Sequence, residues 1–215
     1  GRASIQLNFR PDTQQLKLAV DASEPPGGLV SRLAALRGEP PISLNISGDG
    51  PLDDWSGRLR LTLGDKAGAE GEATLKRSGT SRSLDATLLA DVGAVLPEEF
   101  EPLVGPTTIK VDASFEDDGA ITLRNVAASN TAFALTGDGA IAQGGAVAGN
   151  ARLSLGEVAP FAGFLPKVPG PDGRIVPMAS WQSLVADLAL GGTVNAPEAT
   201  LKLAGRDIGI TAAGD

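Results

Sequence analysis

The chain has 215 residues, enough to bury a core in one domain or two small ones, and 42% of them are hydrophobic, too many for a disordered segment. It contains no Cys and no His, which excludes a disulfide scaffold, thiolate or imidazole metal sites, and every catalytic triad built on those residues. The formal net charge of −8, with no basic block, argues against nucleic acid as a partner and against attraction to an anionic membrane surface.

In chain order, apolar residues return at every second position. The runs are Ile5-Leu7-Phe9, Leu16-Leu18-Val20, Ile42-Leu44-Ile46, Leu59-Leu61-Leu63, Ala73-Leu75 and Leu84-Ala86-Leu88. They continue with Ile109-Val111-Ala113-Phe115, Ile121-Leu123, Phe133-Leu135, Leu153-Leu155, Leu184-Ala186-Leu188-Leu190, Leu201-Leu203 and Ile208-Ile210. Period two predicts strands of about five residues with one apolar face, and the clean alternation predicts antiparallel sheet with its other face solvated. Hairpin chemistry separates the runs: Gly50-Pro51 with Asp49, Asp53 and Asp54, "KRSGTSR" at 76–82, "EDDGAI" at 116–121 and "LTGDGAI" at 135–141. Residues 137–150, Gly/Ala-rich, read as a flexible hairpin or a loose sheet edge.

Three segments break the rhythm. Leu29, Leu33 and Leu36 lie at helical spacing in 27–37. Val92, Val95, Leu96, Phe100 and Leu103 do so near 93–104, and Val158, Phe161, Phe164, Leu165 and Val168 near 157–168. Each predicts a short amphipathic helix or helical turn, interrupted by Pro in the latter two. They recur about every 65 residues, which suggests diverged repeat units near 1–65, 66–142 and 143–215.

Chemical motifs are sparse. Asp49, Asp53 and Asp54 fail the calcium-loop spacing, since Arg60 occupies the twelfth position where a bidentate Glu belongs. Glu98, Glu99 and Glu101 are the densest carboxylates; Glu98 and Glu101 can share a helix face, but no further catalytic group accompanies them. There is no G-x-S-x-G elbow, no P-loop and no dinucleotide fingerprint. Asn45-Ile46-Ser47 matches a glycosylation acceptor but lies inside a strand run. Lys76, Arg77 and Arg82 read as an exposed basic turn. Trp55 and Trp181 read as anchors at strand starts. The expectation is a protein that is not an enzyme, with no cofactor and no metal.

"SLNISGDGPLDDWSGRLRLTLG", "ADVGAVLPEEFEPLVG" and "TIKVDASFEDDGAITLRNVAASNTAFALTGDGAIA" together resemble the TamB family and the wider AsmA-like group. The resemblance covers most of the chain, in step with the strand pattern. It implies a periplasmic protein of Gram-negative bacteria, anchored in the inner membrane by an N-terminal helix. It implies a long sheet folded into a U-shaped groove with an apolar interior, an Omp85-type outer-membrane barrel as partner, and phospholipid movement in outer-membrane biogenesis. The chain begins Gly1-Arg2 and ends at "GITAAGD" without signal peptide or spanning helix, so an interior segment of a longer protein is expected, flanked by neighbouring segments of the same chain.

The fold expected is all-β: an elongated antiparallel sheet curled into a U-shaped, apolar-lined groove, with about three short amphipathic helical inserts. Strands about 4.8 Å apart carry the sheet some 60 Å and expose roughly 1,000 Å² of apolar face, more than the few hundred Å² usual on a soluble monomer. Ile42, Leu44, Ile46, Leu59, Leu61, Leu63, Leu75, Leu84, Leu88, Ile109 and Val111 are expected to line the groove. Phe115, Ile121, Leu123, Phe133, Leu135, Leu153, Leu155, Leu184, Leu188, Leu201 and Leu203 continue that lining. The inserts are expected to contribute Leu29, Leu33, Leu36, Leu96, Phe100, Leu103, Phe161 and Phe164 across its opening. Phospholipid acyl chains are the expected cargo. The alternative is a closed β-sandwich serving as a scaffold or docking module in outer-membrane protein assembly. A transmembrane barrel is disfavoured by the absence of Tyr girdles and by runs shorter than about ten residues.

Overall fold

The computed structural model describes residues 1–98, 100–170 and 174–211. The fold is all-β. Ten strands come first: β1 (Arg2–Arg10), β2 (Gln15–Glu24), β3 (Ile42–Pro51), β4 (Asp54–Leu63), β5 (Ala67–Ser78), β6 (Ser81–Asp91), β7 (Thr107–Glu116), β8 (Ile121–Ser129), β9 (Phe133–Ile141) and β10 (Val147–Leu155). Short strands β11 (Lys167–Pro169), β12 (Ile175–Pro177) and β13 (Ala179–Ser180) precede the long β14 (Ser183–Thr193) and β15 (Ala196–Arg206), and β16 (Gly209–Ile210) follows. Twelve of them form one antiparallel meander, β1 to β10, then β14 and β15. β1 and β15 are not paired with each other, so the sheet is open, with two edges. The remaining pairs, β11 with β12 and β13 with β16, stand apart.

The ladder registers turn the period-two runs into rows. One row crosses all twelve strands: Ile5, Val20, Ile46, Leu59, Gly71, Leu88, Ile109, Ala128, Leu135, Leu153, Ala186 and Leu203. The next row on that face is Leu7, Leu18, Gly48, Gly57, Ala73, Ala86, Val111, Val126, Gly137, Ala151, Leu188 and Leu201. Neither contains a polar side chain. The row on the opposite face runs Gln6, Ala19, Ser47, Arg58, Glu72, Thr87, Lys110, Ala127, Thr136, Arg152, Asp187 and Lys202. Opposed charges there pair across strands, as in Arg60–Glu70 at 3.0 Å and Arg152–Asp187 at 2.6 Å.

One residue would destroy this order if it were not absorbed. In β8 the apolar positions change parity between Leu123 and Val126. A bulge at that point leaves Leu123 opposite Ala113 and Val126 opposite Val111, so both stay on the apolar face. Arg124, inside the bulge, pairs with Asp112 on the polar side.

Among the described residues no second layer closes over the apolar face. The strands make their sustained contacts with ladder neighbours, and among the described residues no other long sheet exists to form a sandwich. Among the described residues, only Leu63, Ala69, Val95, Ala113 and Ala132 are buried apolar side chains. The accessible surface is 13425 Å², where a compact monomer of this mass exposes about 9,200 Å².

Several expectations change. The strands of the main sheet are 9 to 12 residues long, about twice the length read from the apolar runs, because the ladders extend into polar and Gly-containing flanks. Strand length therefore does not exclude a barrel; the unpaired edges do. At about 4.8 Å per strand and 3.4 Å per residue, the sheet measures roughly 53 by 34 Å. "LTGDGAI" is no hairpin but the body of β9, where Gly137 faces Ala151 and Gly139 faces Gly149. Residues 137–150 do form a hairpin, the β9–β10 pair with its turn at 142–146, and they lie inside the sheet and not at an edge. The final run, Ile208-Ile210, leaves the main sheet and pairs with β13.

The helical inserts are shorter than expected. The first is a single helix, α1 (Leu29–Leu33). The second consists of two 3-10 turns, Gly93–Val95 and Glu101–Leu103, and the third of one, Ala159–Phe161. Proline explains this: twelve of the fifteen prolines lie in the three long connectors, where they break helices, and Pro169 and Pro177 stand in the small β11–β12 pair outside the main sheet.

Trp55 lies across a gap made for it. Gly48 and Gly57 are directly opposed in β3 and β4, and a Cβ on either would strike the indole ring. Replacing Gly57 by Ala should therefore cost about 1–3 kcal/mol, although Ala ordinarily suits a strand better than Gly. In a Trp55→Ala background the same change should cost nothing. Thermal melts of the four variants of this cycle measure the coupling.

Candidate functional site

The apolar face offers the one extended surface that water does not favour. All the predicted lining residues, from Ile42 to Leu203, fall on it by register. Near its centre lies a cavity of 350 Å³ walled by Ile46, Trp55, Leu59, Leu88, Ile109 and Val111, within the size range of small-ligand sites. Two larger hollows of 740 Å³ occupy the other face, as expected of a twisted sheet. They are lined by Arg58, Arg60, Glu70, Glu72, Arg152 and Asp187, whose charges pair with one another or stay hydrated.

Exposure along the apolar face is graded. Leu201 and Leu203 on the edge strand β15 are 60% and 65% exposed, and Ile5 on β1 is 73% exposed. Phe115 and Ile121, at the hairpin end of β7 and β8, are also exposed. The inner residues are half-buried by their neighbours. The lining expected from the sequence left out the recognised runs Ile5-Leu7-Phe9 and Leu16-Leu18-Val20, and also Val126 and Ala128, all of which belong to the same face. Val126 and Ala128 were hidden by the parity change; the signal was the polar pair Arg124-Asn125 between apolar residues. Trp55 Nε1 is buried without a hydrogen-bond partner.

The two ends of the sheet differ. At one end every connector is a turn of two to five residues. There Arg77 and Arg82 meet Asp117 at 2.5 and 3.2 Å and Asp53 at 3.9 and 3.8 Å, tying three hairpins together. The basic cluster is thus an ion-pair network, not a bare turn.

The other end carries all three inserts, after β2, β6 and β10, so their period is four strands. Consecutive inserts touch. The Arg37 backbone N–H donates to Val95 O at 2.6 Å, and its guanidinium donates to Ala94 O, Glu98 and Glu101 at 3.1, 3.4 and 3.0 Å. Glu98 and Glu101, considered as an acid pair, instead share one arginine; Glu99 lies outside the described residues. Phe100 packs on Phe164 with ring centroids 5.0 Å apart, and Phe161 on Trp181 at 5.9 Å. Trp181 Nε1 donates to Gly156 O. Leu29 and Leu33 contradict the amphipathic reading: they are 61% and 79% exposed, and Ser31 is the buried residue of α1. Five helical residues make barely one turn, too little to present an apolar stripe. Leu36, Leu96, Leu103 and Phe161 are half-buried, whereas Phe100 and Phe164 are 40% and 44% exposed despite their stacking.

Among the described residues no group of three Asp or Glu converges as a metal site, and no helix is long and apolar enough to cross a membrane. No family model, no curated protein and no solved structure matches this chain.

Helix α1 depends on Glu24, whose carboxylate accepts the N–H groups of Val30 at 3.0 Å and Ser31 at 3.2 Å. The Val30 N–H above all holds the Glu24 carboxyl below its ordinary range. A depressed carboxyl stabilises the fold above its unfolded pKa, and this is lost as pH falls through the folded value. Amide exchange at Val30 and Ser31 should therefore be constant from neutral pH to about 5, once corrected for intrinsic rates, and accelerate below 4.5. In Glu24→Gln the corrected rates should not depend on pH across that window.

Proposed function

We propose that this chain is an interior segment of a TamB-like periplasmic protein, and that its apolar face carries phospholipid acyl chains between the inner and outer membranes. The observation that carries the reading is the pair of apolar rows crossing all twelve strands with no second layer over them among the described residues. Such a face needs an occupant, because it far exceeds the apolar patches of a few hundred Å² that monomers tolerate in water. Acyl chains suit it chemically. Non-directional apolar contact holds many lipid species without fixing any of them, while head groups stay wet. The open sheet curls about the chains as a U-shaped groove, and the inserts lie at its rim. The segment works without catalysis or cofactor, within a chain anchored in the inner membrane that meets an Omp85-type barrel in outer-membrane biogenesis.

The two edges favour a second role for the same sheet. β1 and β15 are exposed along their whole lengths and keep the apolar rows unbroken to the last residue. Neither is blunted by a bulge, so both are suited to strand addition by neighbouring segments of the same chain. A docking module for outer-membrane proteins would use these edges.

Leu88 sits in the middle of the long row and against the cavity. In a closed core, Leu88→Asp would bury an unpaired carboxylate at a cost of several kcal/mol and unfold the chain. On an open face the charge stays hydrated, so Leu88→Asp should melt within a few degrees of the parent while losing co-purified lipid in native mass spectrometry. A photo-crosslinker at position 88 should capture phospholipid in cells. Collapse of stability without any lipid adduct would show an ordinary core and end the proposal.

A further inference from the structure

We propose that the three inserts form a releasable strap across one end of the apolar face, with Arg37 as its clasp. The placement is one-sided. Every long connector falls at the same end of the strands, and each insert follows four strands after the last. Four strand spacings are about 19 Å, yet Arg37 of the first insert reaches Ala94, Val95, Glu98 and Glu101 of the second. Phe100 of the second reaches Phe164 of the third. The inserts therefore bridge one another over the strands instead of docking separately.

What lies beneath them is sealed. Leu63 and Ala69, at this end of β4 and β5, are 7% and 8% exposed, and Val95, in the 3-10 turn of the second insert that packs on β5, is itself 5% exposed. Elsewhere on the apolar face the large side chains are half-buried or exposed, and Ala113 is buried between its ladder neighbours. The contacts that hold the strap are of a breakable kind. Arg37 is 39% exposed and its carboxylate partners 85% and 55%, so salt screens them. The stacked phenylalanines are themselves partly exposed. A five-residue helix and isolated 3-10 turns have no stability of their own. The ladders beneath are continuous across twelve strands. The strap is thus the low-stability element of the molecule, positioned where a chain would enter the face from the side. Its role as a gate rests on the acyl-chain reading above; its existence as a separately opening unit does not.

The chain has no Cys, so introduced thiols are unique. In Arg37→Ala, hydrogen exchange of peptides covering 28–38 and 93–98 should quicken by about tenfold or more, with peptides confined to the strands β3, β4, β5, β7, β8 and β9 unchanged. Arg37→Lys, which keeps the charge but loses the fork, should fall between. For the gate, an Arg37→Cys/Glu101→Cys variant is bridged by a short, cleavable bismaleimide, and uptake of a fluorescent fatty acid (cis-parinaric acid) is timed. The bridge should slow uptake about tenfold and cleavage should restore it, as expected where a local opening limits access. Unchanged exchange in the strap, or exchange rising equally in strap and ladders, overturns the strap. Equal uptake with and without the bridge overturns the gate. Failure of every form to bind the fatty acid overturns the acyl-chain reading and the gate with it, while the exchange result still decides the strap.

Discussion

Everything in this structure depends on parity. A strand alternates its side chains between two faces, so a single slip of register sends a whole apolar set to the wrong side. Eleven consecutive ladders must agree for one row to run from Ile5 to Leu203 without a polar side chain. They do agree, and the one place where the sequence loses count, between Leu123 and Val126, carries a compensating bulge. Because antiparallel pairing puts opposed residues on the same face, the agreement is cumulative. Each correct ladder extends the apolar surface by one strand spacing.

The same geometry explains why the molecule exposes so much surface. A sheet with one apolar face ordinarily folds onto a second sheet or a helix layer. Here all but three of the connectors in the main sheet are too short to cross over, and those three are broken by proline into pieces too small to form a layer. The excess of surface over that of a compact monomer follows from this connectivity. It also explains why the protein is held by lateral contacts: backbone ladders, cross-strand pairs, the indole of Trp55 over its two glycines, and the arginine–aspartate network that joins three hairpins.

The two ends of the sheet divide the labour between rigidity and adjustment. The hairpin end has tight turns and four ion pairs among Arg77, Arg82, Asp53 and Asp117, and little there can move without breaking a ladder. The insert end has long connectors linked by exposed contacts. On the acyl-chain proposal a difference of this kind is useful, since a uniformly sealed face admits nothing and a uniformly bare one invites aggregation.

The sequence by itself determined the fold class and the identity of the apolar face, because period-two alternation is a local property written in each run. Leu44, Leu61, Val111 and Leu135 could be assigned to one surface before any pairing was known. The KRSGTSR and EDDGAI hairpins were legible for the same reason: glycine and aspartate meet a local backbone demand. What only the tertiary structure decided were the properties that depend on partners distant in the chain. "LTGDGAI" has turn chemistry, yet its glycines serve close approach to β10. Leu29 and Leu33 have helical spacing, yet a one-turn helix leaves them in solvent. Glu98 and Glu101 look like a pair of acids until Arg37, sixty residues earlier, comes between them. The openness of the face was likewise decided by what fails to pack on it, and no run of residues records the absence of a second layer.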